Sequence, residues 1–256
     1  MGIYAEPRNI DSTAQCYFYH TIDLPGIGVI NGNWDLRQGL KEYLGHVEFS
    51  VKRVLDIGCA NGVLSFYMES QGAEVVSYDL DCTGDWDMVP FAKWEDYQHI
   101  ADERKSIINK LNNGYWYSHN RLKSHAKVVY SSVYDIPESI GHVDISVFGS
   151  ILLHLQDPFK ALRSGIKLTR ETVIISEVLR GQKIKTKTPS LELLPDPKTV
   201  EPKDTWWDIR PEWVVRAIGV LGFEDTEIYY HNQIYEGRSL ELYTVVGRRT
   251  HGQPVS

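Results

Sequence analysis

From about residue 50 onward, short apolar runs alternate with stretches whose apolar residues recur at helical spacing. Lys52 to Asp56 reads as a strand, and Val63 to Ser70 as a helix stopping at Gly72, the residue that takes a left-handed cap at least cost. Ala73 to Tyr78 reads as a second strand. Lys127 to Tyr130, Val143 to Phe148 and Thr172 to Val178 are three more β-branched runs, the last two bracketing a helix that starts near Asp157-Pro158. Such alternation implies right-handed crossovers and a parallel sheet. The tail departs from it. Pro211 opens a helix through Trp213, Val214, Ala217 and Leu221 to Gly222; Glu224 to Tyr230 and Leu240 to Val246 then flank a polar turn, which predicts a hairpin closing the sheet.

Three segments stand outside this frame: residues 1–35, an insertion from about Cys82 to Ser124, and the stretch from Arg180 to Arg210. The first is rich in Tyr17, Phe18, Tyr19 and His20, and the last carries Pro189, Pro195, Pro197 and Pro202 before Trp206-Trp207. Long irregular pieces of a compact domain are lids or binding loops, with a partly disordered loop the alternative for 181–203. In an open parallel sheet they are expected near the carboxyl ends of the strands, where ligands bind. The predicted organisation is an N-terminal lid and helix over 1–49 and a ligand-binding domain over 50–256, with insertions at about 82–124 and 180–210.

With 256 residues, 42% hydrophobic and 24% charged, the chain can bury a substantial core, which argues against disorder. Its 34 acidic and 27 basic side chains give a formal charge of −7, so the surface as a whole repels a phosphate backbone and nucleic acid is disfavoured as a partner. Cys16, Cys59 and Cys82 have neither disulfide-framework nor zinc-site spacing and fit a reducing interior. Met1 to Ile10 lacks an apolar leader core, and no later stretch approaches the ~20 apolar residues of a membrane helix, so a cytoplasmic protein is expected. No metal site is indicated. The mixed charges of a helix from Trp94 to Asn113, Arg104 among them, read as a solvated face. Lys183, Lys185 and Lys187, and Lys160, Arg163, Lys167 and Arg170, read as ordinary surface.

The most specific signal is Val54-Leu55-Asp56-Ile57-Gly58-Cys59-Ala60-Asn61-Gly62, a strand running into a glycine turn and a helix. Glycines allow a sharp turn and close backbone approach to a ligand, and Asp56 is expected to set a carboxylate beside the pocket. Asp79 closes the second strand, 17 residues beyond Gly62, where an acid can accept hydrogen bonds from ribose hydroxyls. An adenosine-type ligand follows. The loop reads G-x-x-x-G after an acid, not G-x-G-x-x-G. A dinucleotide pyrophosphate would meet that acid at the helix N-terminus, whereas a cationic amine or sulfonium is favoured by it.

In order along the chain, these motifs resemble those of the class I S-adenosylmethionine-dependent methyltransferases, over roughly residues 50–248. Asp56 to Gly62 is similar to the family's first motif, with Ala60 where glycine is commoner, and Asp79 to its ribose acid. Ser132 to Pro137 is similar to the adenine-side segment, and Phe148 to Leu152 to the fourth-strand motif. The resemblance implies a doubly wound, Rossmann-like α/β fold with a seven-stranded sheet, mostly parallel with an antiparallel C-terminal strand. It also implies S-adenosylmethionine held by Asp56, Gly58, Cys59, Ala60, Gly62, Asp79 and Leu80, with Ser132 and Val133 near adenine and Phe148, Gly149 and Ser150 beneath the cofactor. More narrowly, Tyr19 to Pro25, Gly32 to Arg37 and Leu152-Leu153-His154 are similar to the branch that modifies the tRNA wobble uridine at its 5-oxy group. That branch implies tRNA, and a carboxylated form of the cofactor, as alternatives.

Methyl transfer from a sulfonium is an in-line displacement that asks the protein for alignment and a dry pocket. A hydroxyl acceptor also asks for a base, and histidine has the suitable pKa. His154, just beyond the fourth strand, is the first candidate, with packing at the helix entry as the alternative. His20 is the second, with aromatic packing as its alternative. Trp34, Trp86, Trp206 and Trp207 are candidates to sandwich a planar substrate or hold the sulfonium, or else to staple the lids down. Asp85 and Asp87 are candidates for the cofactor amino group, and Asp35 reads as a helix cap. The expected function is a methyltransferase acting on a small molecule, at oxygen first and nitrogen second. An NAD(P)-linked oxidoreductase and a cofactor-binding protein without catalysis are the alternatives, and the oligomeric state is open.

Overall fold

The computed structural model describes residues 2–84, 86–180 and 188–252. Strands β1 (Ile22–Leu24) and β2 (Gly28–Ile30) pair with each other, and β3 (Trp34–Asp35) and the single turn α1 (Leu40–Tyr43) follow. The alternating frame then runs β4 (Arg53–Ile57), α2 (Val63–Ser70), β5 (Glu74–Asp79), α3 (Tyr97–Leu122), β6 (Lys127–Tyr130), β7 (Val143–Gly149), α4 (Pro158–Ile166) and β8 (Thr169–Val178). A small ribbon of β9 (Leu191–Leu193) and β10 (Trp207–Ile209) precedes α5 (Pro211–Val220) and the hairpin β11 (Asp225–Tyr235) with β12 (Arg238–Arg248).

The main sheet has the order β3-β11-β12-β8-β7-β4-β5-β6. Strands β4 to β8 are parallel, while β12, β11 and β3 each run antiparallel to the preceding neighbour. This is the expected Rossmann-like arrangement, with eight strands instead of seven. The added strand is two residues long, Trp34 and Asp35 lying against Tyr235 and Ile234, too short for a period-two pattern to register. Asp35 is not a helix cap: α1 is preceded by Gly39, and the Asp35 carboxylate grips Arg37 instead.

Alternation within the strands sorts the two faces. Leu55 and Ile57 of β4 pack with Leu162 of α4 and Ile218 of α5, whereas Val54 packs with Leu64 and Met68 of α2. Asp157 caps α4 by accepting from the Lys160 amide at 2.9 Å, with Pro158 at the first helical position. Helix α3 runs well beyond the expected end at Asn113, because Tyr115, Trp116 and Tyr117 are buried against Phe18, Ile22 and Leu24 of the N-terminal segment. Strand order reverses at β4 and β7, and this opens a crevice at their carboxyl ends.

Candidate active site

Over that crevice lies a cavity of about 780 Å³, within the range of small-molecule sites. Its floor is the glycine loop. Gly58 and Gly62 have φ of +79° and +88°, and a Cβ on Gly62 would lie 2.4 Å from the Phe66 ring. Ala60, at φ +50°, takes the left-handed region without glycine's freedom, and its amide points at the Asp79 carboxylate. Asp79 Oδ2 accepts from Ala60 N at 2.7 Å and Oδ1 from Leu80 N at 2.8 Å, and with the Cys59 thiol also beside the carboxylate these bonds leave acceptor capacity for a ligand. Burial raises the Asp79 pKa above the usual carboxylate value, and the two amides oppose that rise. Gly58, Ala60, Asp79, Leu80, Ser132, Val133, Gly149 and Ser150 all lie on the cavity wall.

Asp56, Cys59, Gly62 and Phe148 do not line it. Asp56 shares the face of Val54, under α2, so its fully buried carboxyl is turned away from the crevice. Ser65 Oγ donates to it at 2.5 Å, and Ser77 and the Tyr115 hydroxyl continue the chain at 2.7 and 2.8 Å. Burial pushes the Asp56 pKa up to about 7. The expectation of a carboxylate beside the pocket at Asp56 is therefore corrected: the group sits in the core. Cys59 is buried with Val63 and Phe66, Gly62 caps α2, and Phe148 belongs to the core cluster of Ile57 and Ala161.

Both histidines reach the cavity. The His20 amide donates to Asn61 Oδ1 at 2.8 Å and Asn61 Nδ2 donates back to the His20 carbonyl at 2.9 Å, a clamp fastening the N-terminal segment to the glycine loop. Burial pulls the His20 pKa down to about 4, and Nδ1 is buried without a partner among the described residues. His154 Nδ1 lies 2.5 Å from the main-chain oxygen of Asp204. A carbonyl only accepts, so Nδ1 carries the proton and Nε2 of the neutral ring is the bare nitrogen. Burial lowers the His154 pKa, opposed by the Asp204 contact.

The roof combines the three irregular segments. Tyr17 and Tyr19 come from the first, Trp86, Asp87 and the Arg104 to Leu111 part of α3 from the second, and Asp204 from the third. Trp86 faces the cavity with the Arg104 guanidinium 5.7 Å from its ring centre. The other three tryptophans are not among the residues that line the cavity, and each indole N–H is bonded within the protein, as expected of a staple. Trp34 donates to the Tyr19 hydroxyl at 3.0 Å, Trp206 to the Asp87 carbonyl at 2.7 Å and Trp207 to the Leu155 carbonyl at 2.9 Å. Arg104 is corrected too: it is three-quarters buried and holds the Asp204 carboxylate with two nitrogens. Asp87 accepts from the Tyr134 hydroxyl and from the Gln156 amide. Asp85, Lys183, Lys185 and Lys187 lie outside the described residues.

Sequence reasoning missed Asn61, Arg104 and Asp204 as site residues. Asn61 stands inside the glycine motif, a usable signal; the other two meet across 100 positions and left none. Among the described residues, no group of three or more His, Cys, Asp or Glu side chains is placed to hold a metal, and no helix is long and apolar enough to cross a membrane.

No protein-family profile matches the chain, and no curated protein matches it. Solved structures match by fold. The N-terminal domain of EvdMO1, crystallised in the presence of S-adenosylhomocysteine and D-fucose, is 14% identical over 90% of both chains, with a TM-score of 0.52. The 1,6-didemethyltoxoflavin-N1-methyltransferase of Burkholderia thailandensis, with 1,6-didemethyltoxoflavin and S-adenosylhomocysteine bound, is 13% identical over 84% of this chain and 78% of that one, at 0.52. Magnesium protoporphyrin IX methyltransferase (ChlM) of Synechocystis PCC 6803, with S-adenosylhomocysteine bound, is 12% identical over 84% and 82%, at 0.52. The chain shares its Rossmann-like α/β fold with these three structures.

Proposed function

We propose that the protein is an S-adenosylmethionine-dependent methyltransferase whose acceptor is a small molecule methylated at oxygen. The observation that carries this reading is the left-handed glycine loop joined through the Ala60 amide to Asp79, lining the same cavity as His154. The donor set suits the cofactor. Asp79 keeps acceptor capacity for a ribose diol, the loop allows close main-chain approach, and Ser132 and Val133, the segment that the resemblance gives to adenine, line the same cavity. The bound cofactor would supply an activated methyl group. The protein's own task is to orient the acceptor, keep water out under the roof, and take the acceptor's hydroxyl proton at His154 Nε2.

Charge narrows the ligands. Among the described lining residues, Asp79, Asp81, Asp87 and Asp204 face only one guanidinium, Arg104, and that group is spent on Asp204. Such a wall favours a cationic sulfonium and an acceptor without anionic groups. It weighs against a pyrophosphate, a carboxylated cofactor and an RNA backbone. The volume, about 780 Å³, and the lining by Tyr17, Tyr19, Trp86 and α3 fit a small acceptor rather than a polymer. The test is an acceptor screen that follows S-adenosylhomocysteine release. Methylation of a hydroxyl compound lacking carboxylate and phosphate is expected; turnover confined to anionic acceptors or tRNA would contradict the reading.

A further inference from the structure

We propose that Arg104 and Asp204 are positioning residues that fix the tautomer of His154 and so make the base depend on the seating of α3 over the cavity. The catalytic consequence rests on the methyltransferase reading, but the tautomer is a property of the protein alone. His154 ends a single 3-10 turn, Leu152–His154, beyond β7, and among the described residues the partner of its ring is the Asp204 main-chain oxygen, 50 positions away. Nothing in its own loop would otherwise choose between the two nitrogens. An imidazole free in water prefers the proton on Nε2; here the carbonyl reverses that preference and leaves Nε2 to accept.

What aims this carbonyl is the question, and the contacts of residues 203–206 answer it. The ends of the segment are tied to its surroundings: Val89 N donates to the Lys203 carbonyl at 2.9 Å and Trp206 N to the Leu153 carbonyl at 2.8 Å. Between these ties, Asp204 is held by its side chain. Arg104 Nε meets Oδ1 at 3.1 Å while Nη2 meets Oδ2, a two-point grip that stops the carboxylate from rotating and restrains the peptide attached to it. Arg104 is itself steadied over Trp86, and α3 is anchored by Asn112 Nδ2 donating to the Leu80 carbonyl at 3.1 Å and by the buried Tyr115 and Trp116. The line of support runs from α3 through Arg104 and Asp204 to His154. With α3 unseated, the carbonyl loses its aim, Nε2 regains its proton, and the ring can no longer act as a base at that atom.

The experiment is long-range 1H–15N correlation spectroscopy of the full chain with 15N-labelled histidine, the His154 signals being assigned by their loss in His154→Gln. The wild-type ring should show a protonated Nδ1 and a bare Nε2. Arg104→Gln and Asp204→Asn each keep the Asp204 main-chain carbonyl yet remove the grip. Each should lower the ratio of the Nδ1–H to the Nε2–H form roughly tenfold, the effect of losing one well-oriented hydrogen bond. Arg104→Lys keeps the charge without the fork and should fall between. An Nε2–H ring in the wild type would overturn the proposal. So would an unchanged tautomer in both variants alongside a lowered melting temperature, which would make the ion pair a staple only. Titration of the same samples with S-adenosylhomocysteine separates the two readings: absence of binding would sink the methyltransferase reading while leaving the tautomer result to stand or fall by itself.

Discussion

The floor of the cavity is made of short peptides that follow neighbouring strands, whereas its roof is drawn from residues as far apart as Tyr17, Arg104 and Asp204. The floor acts largely through the main chain. Left-handed residues at Gly58, Ala60 and Gly62 and the amides of Ala60 and Leu80 shape it, and Asp79 is the side chain they converge on. The roof acts through contacts between distant segments, each with at least one side chain: Asn61 with the His20 main chain, Tyr134 with Asp87, Arg104 with Asp204, and His154 with the Asp204 carbonyl. On the proposed reading, the floor selects the cofactor and the roof governs what is done with it. The division predicts that substitutions in the floor change binding and substitutions in the roof change turnover.

The largest effect that would break this division lies at His154. His154→Ala should lower kcat by about 10²- to 10⁴-fold, the usual worth of a general base, with cofactor affinity changed less than about threefold. A fully active variant would remove His154 as the base. Asp79→Ala should weaken S-adenosylmethionine binding roughly 100-fold, about 2.7 kcal/mol, since it removes the ribose acceptor and frees two loop amides; calorimetry reads this directly. Unchanged affinity would take Asp79 out of the site.

Asp56 sharpens the comparison by lying just outside it. Burial lifts its pKa to about 7 and that of Glu177, which accepts from the Leu152 amide, to about 8. A carboxyl with a folded pKa above its unfolded value stabilises the fold fully below the ordinary carboxylate range, and that contribution is lost as pH rises through the folded value. Stability should therefore fall between about pH 4 and pH 8, and Asp56→Asn should flatten this fall, with a gain on the order of 2 kcal/mol over the wild type at the alkaline end. Urea unfolding at several pH values measures it. An unchanged slope would show that Asp56 does not titrate in this window. The smallest expected effect is that of Trp207→Phe, which removes the bond to the Leu155 carbonyl. It should cost about 1 kcal/mol of stability and leave the cofactor Kd within about twofold. A tenfold change in Kd would return Trp207 to the ligand site.

The same division decides what the sequence disclosed. The turn from Gly58 to Gly62 and the placement of Asp79 at the end of β5 are legible because each lies in a contiguous peptide between predictable elements. Asp56 was misplaced although the signal was present: in β4 it alternates with Leu55 and Ile57 and so shares the α2 face with Val54. Arg104 was assigned to solvent because a mixed-charge helix does not reveal which charged residue meets a partner 100 positions away. For Trp34, Trp206 and Trp207 the sequence leaves ligand and staple roles both open, because no pattern shows that an indole N–H will find a main-chain or tyrosine oxygen. The edge strand at Trp34-Asp35 exists through its pairing with β11 and has no periodicity of its own.

The most direct test of the central claim is calorimetric titration of the full chain with S-adenosylmethionine, S-adenosylhomocysteine and NAD under matched conditions. Micromolar binding of the first two and none of the third is the predicted result. Preference for NAD, or no binding of any of the three, would contradict it and leave the glycine loop and Asp79 as parts of a Rossmann-like fold without the proposed cofactor.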